Sequence, residues 1–392
     1  MSLSVCLLTR NEEDTVGDAV RSVAEVADEI LVVDTHSRDQ TAARAAEAGA
    51  RVLQYDWDDD FAAGRNFTIA LATGDWILWL NGSETVTLES HTAIREAVGQ
   101  PNVFGYFVRV RTPLSAARPE QQAETMDLRL FRRRSDLSFI GRAHPRFEKG
   151  MVDSIRQEGL EVRSAAITLK GAPYVEPTES KLRWTVHLME LELQDRPGQL
   201  HYQIELGLTL LQLGDPKAHD VMAKAAEQVA TAREAKAAPG VKAQALLAYV
   251  LTAAPEGRSR FLSRDLAREL ALRWFPVSPR LMHIVAEDAF QRGDFRLAAS
   301  LLERLLTMGR TGVFDRSHAF DPELIGDRAR ANLAACYYNL GEATKAEQCY
   351  RPLLESERYR LVAAQGIAAA QQRQRQRGGF SFDINDVATL DA

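Results

Sequence analysis

Between Ser4 and Leu80 four short apolar runs alternate with three segments of helical periodicity, and this alternation leaves few folds open. Ser4-Val5-Cys6-Leu7-Leu8, Glu29-Ile30-Leu31-Val32-Val33-Asp34, Arg51-Val52-Leu53-Gln54-Tyr55 and Trp76-Ile77-Leu78-Trp79-Leu80 read as strands. Branched and aromatic side chains suit a pleated surface. Between them Val16, Val20, Val23 and Val26 recur at helical spacing, residues 41–48 are Ala-rich, and residues 66–72 read as a further helix. Thr9-Arg10-Asn11-Glu12-Glu13-Asp14 carries the hydroxyl, amide and acidic groups expected at the amino terminus of the first helix. The order β-α-β-α-β-α-β requires a mostly parallel sheet with right-handed crossovers and helices on both faces. Ligands of such sheets bind beyond the carboxyl ends of the strands.

The fourth run stops at Asn81-Gly82-Ser83-Glu84, so Asn81, Ser83 and Glu84 stand at the ligand end, and the second run delivers Asp34 to the same edge. No Gly-x-Gly-x-x-Gly and no Gly-x-x-x-x-Gly-Lys-Ser/Thr follows the first strand, which disfavours dinucleotide oxidoreductases and P-loop enzymes. A different class of nucleotide user is expected. A chain of 392 residues exceeds one ordinary core, so two or more domains are expected. No apolar run approaches the ~20 residues of a membrane-spanning helix, and the amino end reads as a strand rather than a signal peptide. The expected location is the cytoplasm. Cys6, Cys336 and Cys349 form no Cys-x-x-Cys pair, and a net charge of −6 argues against broad nucleic-acid binding.

Four motifs in order carry a family resemblance: Ser4-Val5-Cys6-Leu7-Leu8-Thr9-Arg10-Asn11-Glu12, Val32-Val33-Asp34-Thr35-His36-Ser37-Arg38-Asp39-Gln40-Thr41, Trp57-Asp58-Asp59-Asp60-Phe61-Ala62-Ala63-Gly64-Arg65-Asn66, and Gly74-Asp75-Trp76-Ile77-Leu78-Trp79-Leu80. With Arg129-Leu130-Phe131-Arg132 and Phe139-Ile140-Gly141-Arg142-Ala143-His144 they resemble glycosyltransferase family 2, of GT-A fold, over roughly residues 1–170. The resemblance implies a nucleotide-sugar donor, with Asp34 on the base or ribose and Asp39 and Arg65 in the same pocket. Thr9, Asn11, Asn81, Ser83 and Arg129 fall at donor-site positions of the matching motifs. The alternative for Asp34 and Asp39 is capping of the helix near Thr41. For Arg65 it is an ion pair with the Asp58-Asp59-Asp60 run.

The resemblance breaks where it bears on chemistry. Relatives end the fourth strand with Asp-x-Asp, whose carboxylates hold a divalent cation; here the matching residues are Asn81 and Ser83. Mg²⁺ and Mn²⁺ prefer anionic oxygen ligands, Glu84 is the carboxylate left in the turn, and the metal is therefore doubtful. His36 and Gln40 stand where relatives have Gly, and His144-Pro145 where they read His-Glu. Inverting transfer needs a base for the acceptor proton and positive charge for the departing diphosphate. His144, Glu148 and Asp127 are the base candidates. Arg129, Arg132, Arg133, Arg134 and Arg142 are a possible source of charge in place of a metal.

From Tyr174 the pattern changes to long amphipathic helices, which places a boundary close to Gly171-Ala172-Pro173. Three segments share small or apolar residues at matched offsets: Gly207, Gly214, His219 and Ala223; Ala286, Gly293, Ala298 and Leu302; Ala334, Gly341, Ala346 and Tyr350. They resemble tetratricopeptide repeats, helix pairs that stack to present a binding surface. Residues 246–275 are too divergent for repeat assignment.

The expected architecture is α/β: a GT-A, Rossmann-like, mostly parallel sheet domain over residues 1–172, an all-α TPR-like repeat domain over 173–370, and a low-complexity, flexible tail over 371–392. The expected function is inverting sugar transfer from a nucleotide-sugar donor, with or without the usual metal, to a protein, peptide or glycan acceptor positioned by the repeats. The alternative is a catalytically inactive transferase scaffold that binds ligands or proteins through its repeats.

Overall fold

In the computed structural model, residues 1–114, 119, 122–173, 175–254, 262–316 and 320–376 are described, without the side chains of 149–152 and 376. They fall into two compact units, Met1–Tyr202 and Gln203–Ala392.

The first unit is built on one sheet. Strands β1 (Leu3–Thr9), β2 (Glu29–Asp34), β3 (Arg51–Gln54) and β4 (Trp76–Trp79) alternate with helices α1 (Val16–Arg21), α2 (Thr41–Glu47) and α3 (Phe61–Leu71). Then follow β5 (Glu84–Val86), α4 (Ser90–Val98), β6 (Val103–Pro113), β7 (Gln122–Arg132), the small β8 (Phe139–Ile140) and β9 (Arg146–Phe147), α5 (Lys149–Gln157), β10 (Glu161–Gly171) and α6 (Glu179–Asp195). The sheet order is β3-β2-β1-β4-β7-β6-β10-β5. Neighbours among β3, β2, β1 and β4 are parallel, as are β6 and β10, whereas β7 and β5 run against their neighbours. The expected mostly parallel α/β sheet is therefore present.

Period-two alternation decides the layers. Leu3, Val5 and Leu7, with Trp76, Leu78 and Leu80, face the core that receives Val16 and Val20 of α1 and Ile94 of α4. Cys6, Leu31, Val33, Ile77 and Trp79 face the other side, toward Ala62 and Ile69 of α3. Both faces are covered, which is why these strands read as continuous apolar runs. Two helices differ from the sequence reading. Helix α1 ends at Arg21, leaving Val23 buried but outside it, and residues 10–15 form a loop in which Glu12 C=O accepts the Thr15 and Val16 N–H groups. Helix α3 begins at Phe61 because the Asp60 carboxylate caps it, accepting Ala63 N–H at 2.9 Å.

The second unit is helical: α7 (Leu200–Gln212, entering from the first unit), α8 (Lys217–Thr231), α9 (Ala243–Thr252), α10 (Arg264–Trp274), α11 (Pro279–Gln291), α12 (Phe295–Thr311), α13 (Asp327–Asn339), α14 (Ala343–Tyr350) and α15 (Arg360–Gln376). The three repeat-like segments coincide with the pairs α7–α8, α11–α12 and α13–α14. Gly214, Gly293 and Gly341 turn each pair at φ 67°, 79° and 80°, a left-handed cap that glycine adopts without strain. A Cβ at Gly207 would collide with the Met222 side chain, so this small residue is what lets α7 and α8 approach. The Gln/Arg run expected to be a tail from residue 371 instead continues α15 to Gln376. Arg373 donates to Tyr338 C=O at 2.6 Å, and its guanidinium lies 4.8 Å from the Tyr338 ring centre. Residues 377–392 lie outside the described residues. Among the described residues no helix is long and apolar enough to cross a membrane.

Candidate active site

At the carboxyl edge of β1 and β2 two loops are fastened together by backbone donors. Asn11 N–H donates to Ser37 Oγ at 2.8 Å, and Asn11 Oδ1 accepts Arg38 N–H at 2.8 Å. Glu12 N–H donates to Thr41 Oγ1 at 2.7 Å, Glu13 N–H to Asp39 Oδ2 at 3.2 Å, and Gln40 N–H to Glu13 Oε2 at 2.9 Å. Asn11 and His36 adopt left-handed backbone, φ 53° and 56°. Such backbone is one that glycine adopts without strain, and the His36 ring meets Asp56 at 2.7 Å.

Asp34 is 1% exposed and takes Ser37 N–H at 3.0 Å and Ser37 Oγ at 2.5 Å. Asp39 accepts both Thr41 donors just ahead of α2, whose N-cap residue Gln40 makes no side-chain cap hydrogen bond. Burial opposes its charge, but the hydrogen bonds from Thr41 and Glu13 hold its carboxyl below the ordinary value. Thr9 is buried at the end of β1, and its C=O accepts Thr35 Oγ1 at 3.1 Å. Thr9, Asn11, Asp34 and Asp39 are therefore brought to one edge.

A second group assembles around the turn after β4. Glu84, 5% exposed, accepts Asn81 N–H and Asn81 Nδ2, both at 3.0 Å. Arg129 on β7 meets the same carboxylate with both terminal nitrogens, at 2.9 and 3.2 Å, and reaches Asp127 at 3.3 Å. Burial works against the Arg129 charge, but Glu84 and Asp127 reverse that and raise its pKa. Ser83 enters the hydrogen bonding of the turn through its C=O, which accepts Ala172 N–H at 3.1 Å. Among the described residues no group of three or more His, Cys, Asp or Glu is placed to hold a metal ion.

Arg65 completes this group. Its guanidinium carbon lies 4.6 Å from the Trp79 ring centre and 5.3 Å from that of Phe139. Burial, and then the neighbouring Arg129 charge, push it down to about 9. Among the described residues it makes no hydrogen bond or ion pair, so the pairing with Asp58-Asp59-Asp60 is not formed. Those aspartates serve elsewhere: Asp58 accepts Tyr55 Oη, Asp59 accepts Trp57 Nε1 and Asp60 caps α3. The other arginines of the imagined cluster disperse. Arg132 donates to the carbonyls of Gln100, Pro101 and Val103, Arg133 to Gly74, Arg134 to Asp136 and Glu158, and Arg142 to Asp195.

A third group is the β8–β9 hairpin. Asn66 clamps its first strand, donating to Phe139 C=O at 2.9 Å and accepting Phe139 N–H at 2.8 Å. Phe139 stacks on Phe147 with ring centres 4.4 Å apart. His144 lies in the connection between the strands at φ 51°, exposed, and Glu148 is exposed just after β9.

The sequence reading placed neither Asn66, whose neighbour Arg65 it did single out, nor Glu12 in the site. Glu12 lies where a Cβ on Gly82 would collide with its carboxylate, beneath the turn that bears Asn81 and Ser83. Burial pushes it up to about 7.

Residues 4–144 match the model of glycosyl transferase family 2. A TPR repeat-containing protein of Synechococcus elongatus is 33% identical over 228 residues, 55% of this chain and 54% of that protein. An uncharacterized glycosyltransferase of Rickettsia felis is 33% identical over 104 residues, 26% of this chain and 36% of that protein. The chain thus spans about half the length of the first relative and about a third of the second. Among solved structures, mannosyl-3-phosphoglycerate synthase of Rubrobacter xylanophilus aligns with 18% identity and a TM-score of 0.35, over 50% of this chain and 74% of that one. With its motifs set along the carboxyl edge of a mostly parallel sheet, the stretch of residues 4–144 is similar to glycosyl transferase family 2.

Proposed function

We propose that this domain transfers a sugar, with inversion, from a nucleotide-sugar donor to a hydroxyl acceptor, and holds the donor's diphosphate with arginine rather than a divalent cation. The observation that carries this reading is Arg65, a charged guanidinium set against two aromatic rings at the ligand edge, with no hydrogen bond or ion pair among the described residues. A diphosphate supplies the missing acceptor oxygens through charge-assisted hydrogen bonds. The fit to Mn²⁺ or Mg²⁺ is poor. Asn81 and Ser83 offer neutral oxygens, and the Glu84 carboxylate is already bonded to Arg129 and Asn81. Asp34, with Thr9, Asn11 and Asp39 around it, takes the base or ribose.

In the transfer step the acceptor oxygen forms a bond to the sugar C1 while the bond from C1 to the diphosphate oxygen breaks. Arg65 receives the charge that develops on the leaving group. The acceptor proton passes to a base, which we assign to His144. Asp127 is engaged by Arg129, and Glu148 stands four residues further along the same hairpin. The helix pairs of the second unit provide a surface for a protein, peptide or glycan acceptor.

A panel of UDP-, GDP- and ADP-hexoses incubated with the protein in EDTA tests this reading. Slow release of the nucleoside diphosphate is expected, falling on the order of 100-fold in Arg65→Ala. Tight binding of a nucleoside diphosphate without release from any sugar nucleotide, with or without Mn²⁺, would favour the second reading, a non-catalytic ligand-binding module. The replacement of the usual carboxylates by Asn81 and Ser83 supports that reading too.

A further inference from the structure

The turn that carries His144 is held from outside the stretch that matches the family model. Glu192 on α6 is 0% exposed, and its Oε2 accepts the backbone N–H of Arg142 at 2.9 Å and Arg196 Nη2 at 2.8 Å; its Oε1 accepts Gln199 Nε2 at 2.7 Å. One residue further along the turn, the buried Tyr202 donates its hydroxyl to Ala143 C=O at 2.7 Å. Burial, and then the Glu192 charge, keep that phenol protonated and able to donate. Gly141, at φ 112°, leaves room for this hydroxyl, which a Cβ there would displace. The Arg142 side chain adds a contact to Asp195 at 2.8 Å, and Arg142 C=O accepts the Phe61 N–H that starts α3.

Beyond these anchored residues comes His144 at φ 51°, a left-handed backbone uncommon for a residue with a side chain, which its surroundings hold in place. Two buried side chains, on α6 and at the start of α7, supply that constraint. A buried carboxylate on a backbone N–H is a costly device for a mere surface turn, since an unpaired carboxylate there would be strongly disfavoured. Fixing the orientation of a reacting group gives the device a use.

We infer that Glu192 and Tyr202 are positioning residues that lock residues 141–144 and so set the direction of the His144 imidazole. This rests on the assignment of His144 as the base. The helix following the sheet is then part of the catalytic apparatus, and the family-matched stretch alone lacks it.

Donor hydrolysis and UDP affinity are measured in the full chain for Tyr202→Phe, Glu192→Ala and Glu192→Gln, each alone and combined with His144→Ala. Tyr202→Phe and Glu192→Ala are expected to lower kcat by about tenfold or more with UDP affinity unchanged. Glu192→Gln, which still accepts from Arg142 N–H, restores most of the rate, and none of the three lowers it further once His144 is Ala. Equal losses in both backgrounds, or losses that track UDP affinity, would overturn the inference. If the wild-type chain hydrolyses no donor, the proposed function fails by itself, and histidine-labelled NMR decides this point. The His144 ring resonances are expected to move in Tyr202→Phe while those of His91 and His283 stay in place; an unmoved His144 contradicts the positioning role.

Discussion

Burial puts two charged groups of the crevice in states unlike those of the same side chains in water. Arg65 lies against two rings with no ion pair among the described residues, and Glu12 lies under the Asn81-Gly82-Ser83 turn with its carboxyl pushed up to about 7 from an ordinary 4.5. The sign of the Glu12 effect follows from linkage. Its folded-state value exceeds the unfolded one, so the folded protein holds the extra proton. The corresponding stability is complete below about pH 4.5 and is lost as pH rises through about 7. Glu12→Gln is neutral at every pH, so it should raise Tm clearly at pH 8 and little at pH 5, the stability gain being roughly 1.4 kcal/mol for each unit of displaced pKa. Thermal melts at the two pH values check this, and an equal shift at both would contradict the buried, proton-holding carboxyl. Glu12 was not legible as a site residue because its environment is made by Gly82, seventy positions away, folding over it. Asp34 and Asp39 were legible as strand-end and loop acids, but the partners that use them, Ser37, Thr41 and Glu13, follow from two loops meeting.

Among the elements, α3 does most to build the site. Its Asp60 cap sets the start, Arg65 points a cation at Trp79, and Asn66 holds β8 by both polar groups of Phe139. The sequence showed the later half of this helix and missed its first turn, because the acidic run before it read as an ion-pair partner for Arg65 rather than as a cap. Asn66→Ala removes two hydrogen bonds and strands a partly buried N–H and C=O, which costs about 1–3 kcal/mol. The same change frees Phe139 from beneath Arg65, so UDP affinity should fall along with stability. Urea denaturation and calorimetry on the variant test both; a variant with unchanged stability and unchanged UDP affinity would remove Asn66 from this account. The arginines of β7 and its sequel show the limit of linear reading. Arg129, Arg132, Arg133 and Arg134 are close in sequence, but Arg129 faces the crevice, while Arg132 and Arg133 grip carbonyls at residues 100–103 and 74.

For the molecule as a whole, the alternation of strand and helix in the first eighty residues was enough to give the parallel half of the sheet. The small residues at matched offsets were enough to give three helix pairs. The long-range additions were not legible: the β10–β6 pairing, and the buried Glu192 that ties α6 to the turn before His144, have no local signature. The central claim concerns how the crevice answers the charge of a diphosphate. Calorimetric titration of UDP into the wild-type chain in EDTA and again in Mn²⁺, repeated with Arg65→Ala and with the Asn81→Asp, Ser83→Asp pair, tests it most directly. The account predicts wild-type binding that is the same in EDTA and Mn²⁺, weakened at least about tenfold in Arg65→Ala as a charge-assisted contact is lost, and Mn²⁺-dependent only after both acids are restored. Wild-type binding that appears only with Mn²⁺ and is indifferent to Arg65→Ala would contradict it.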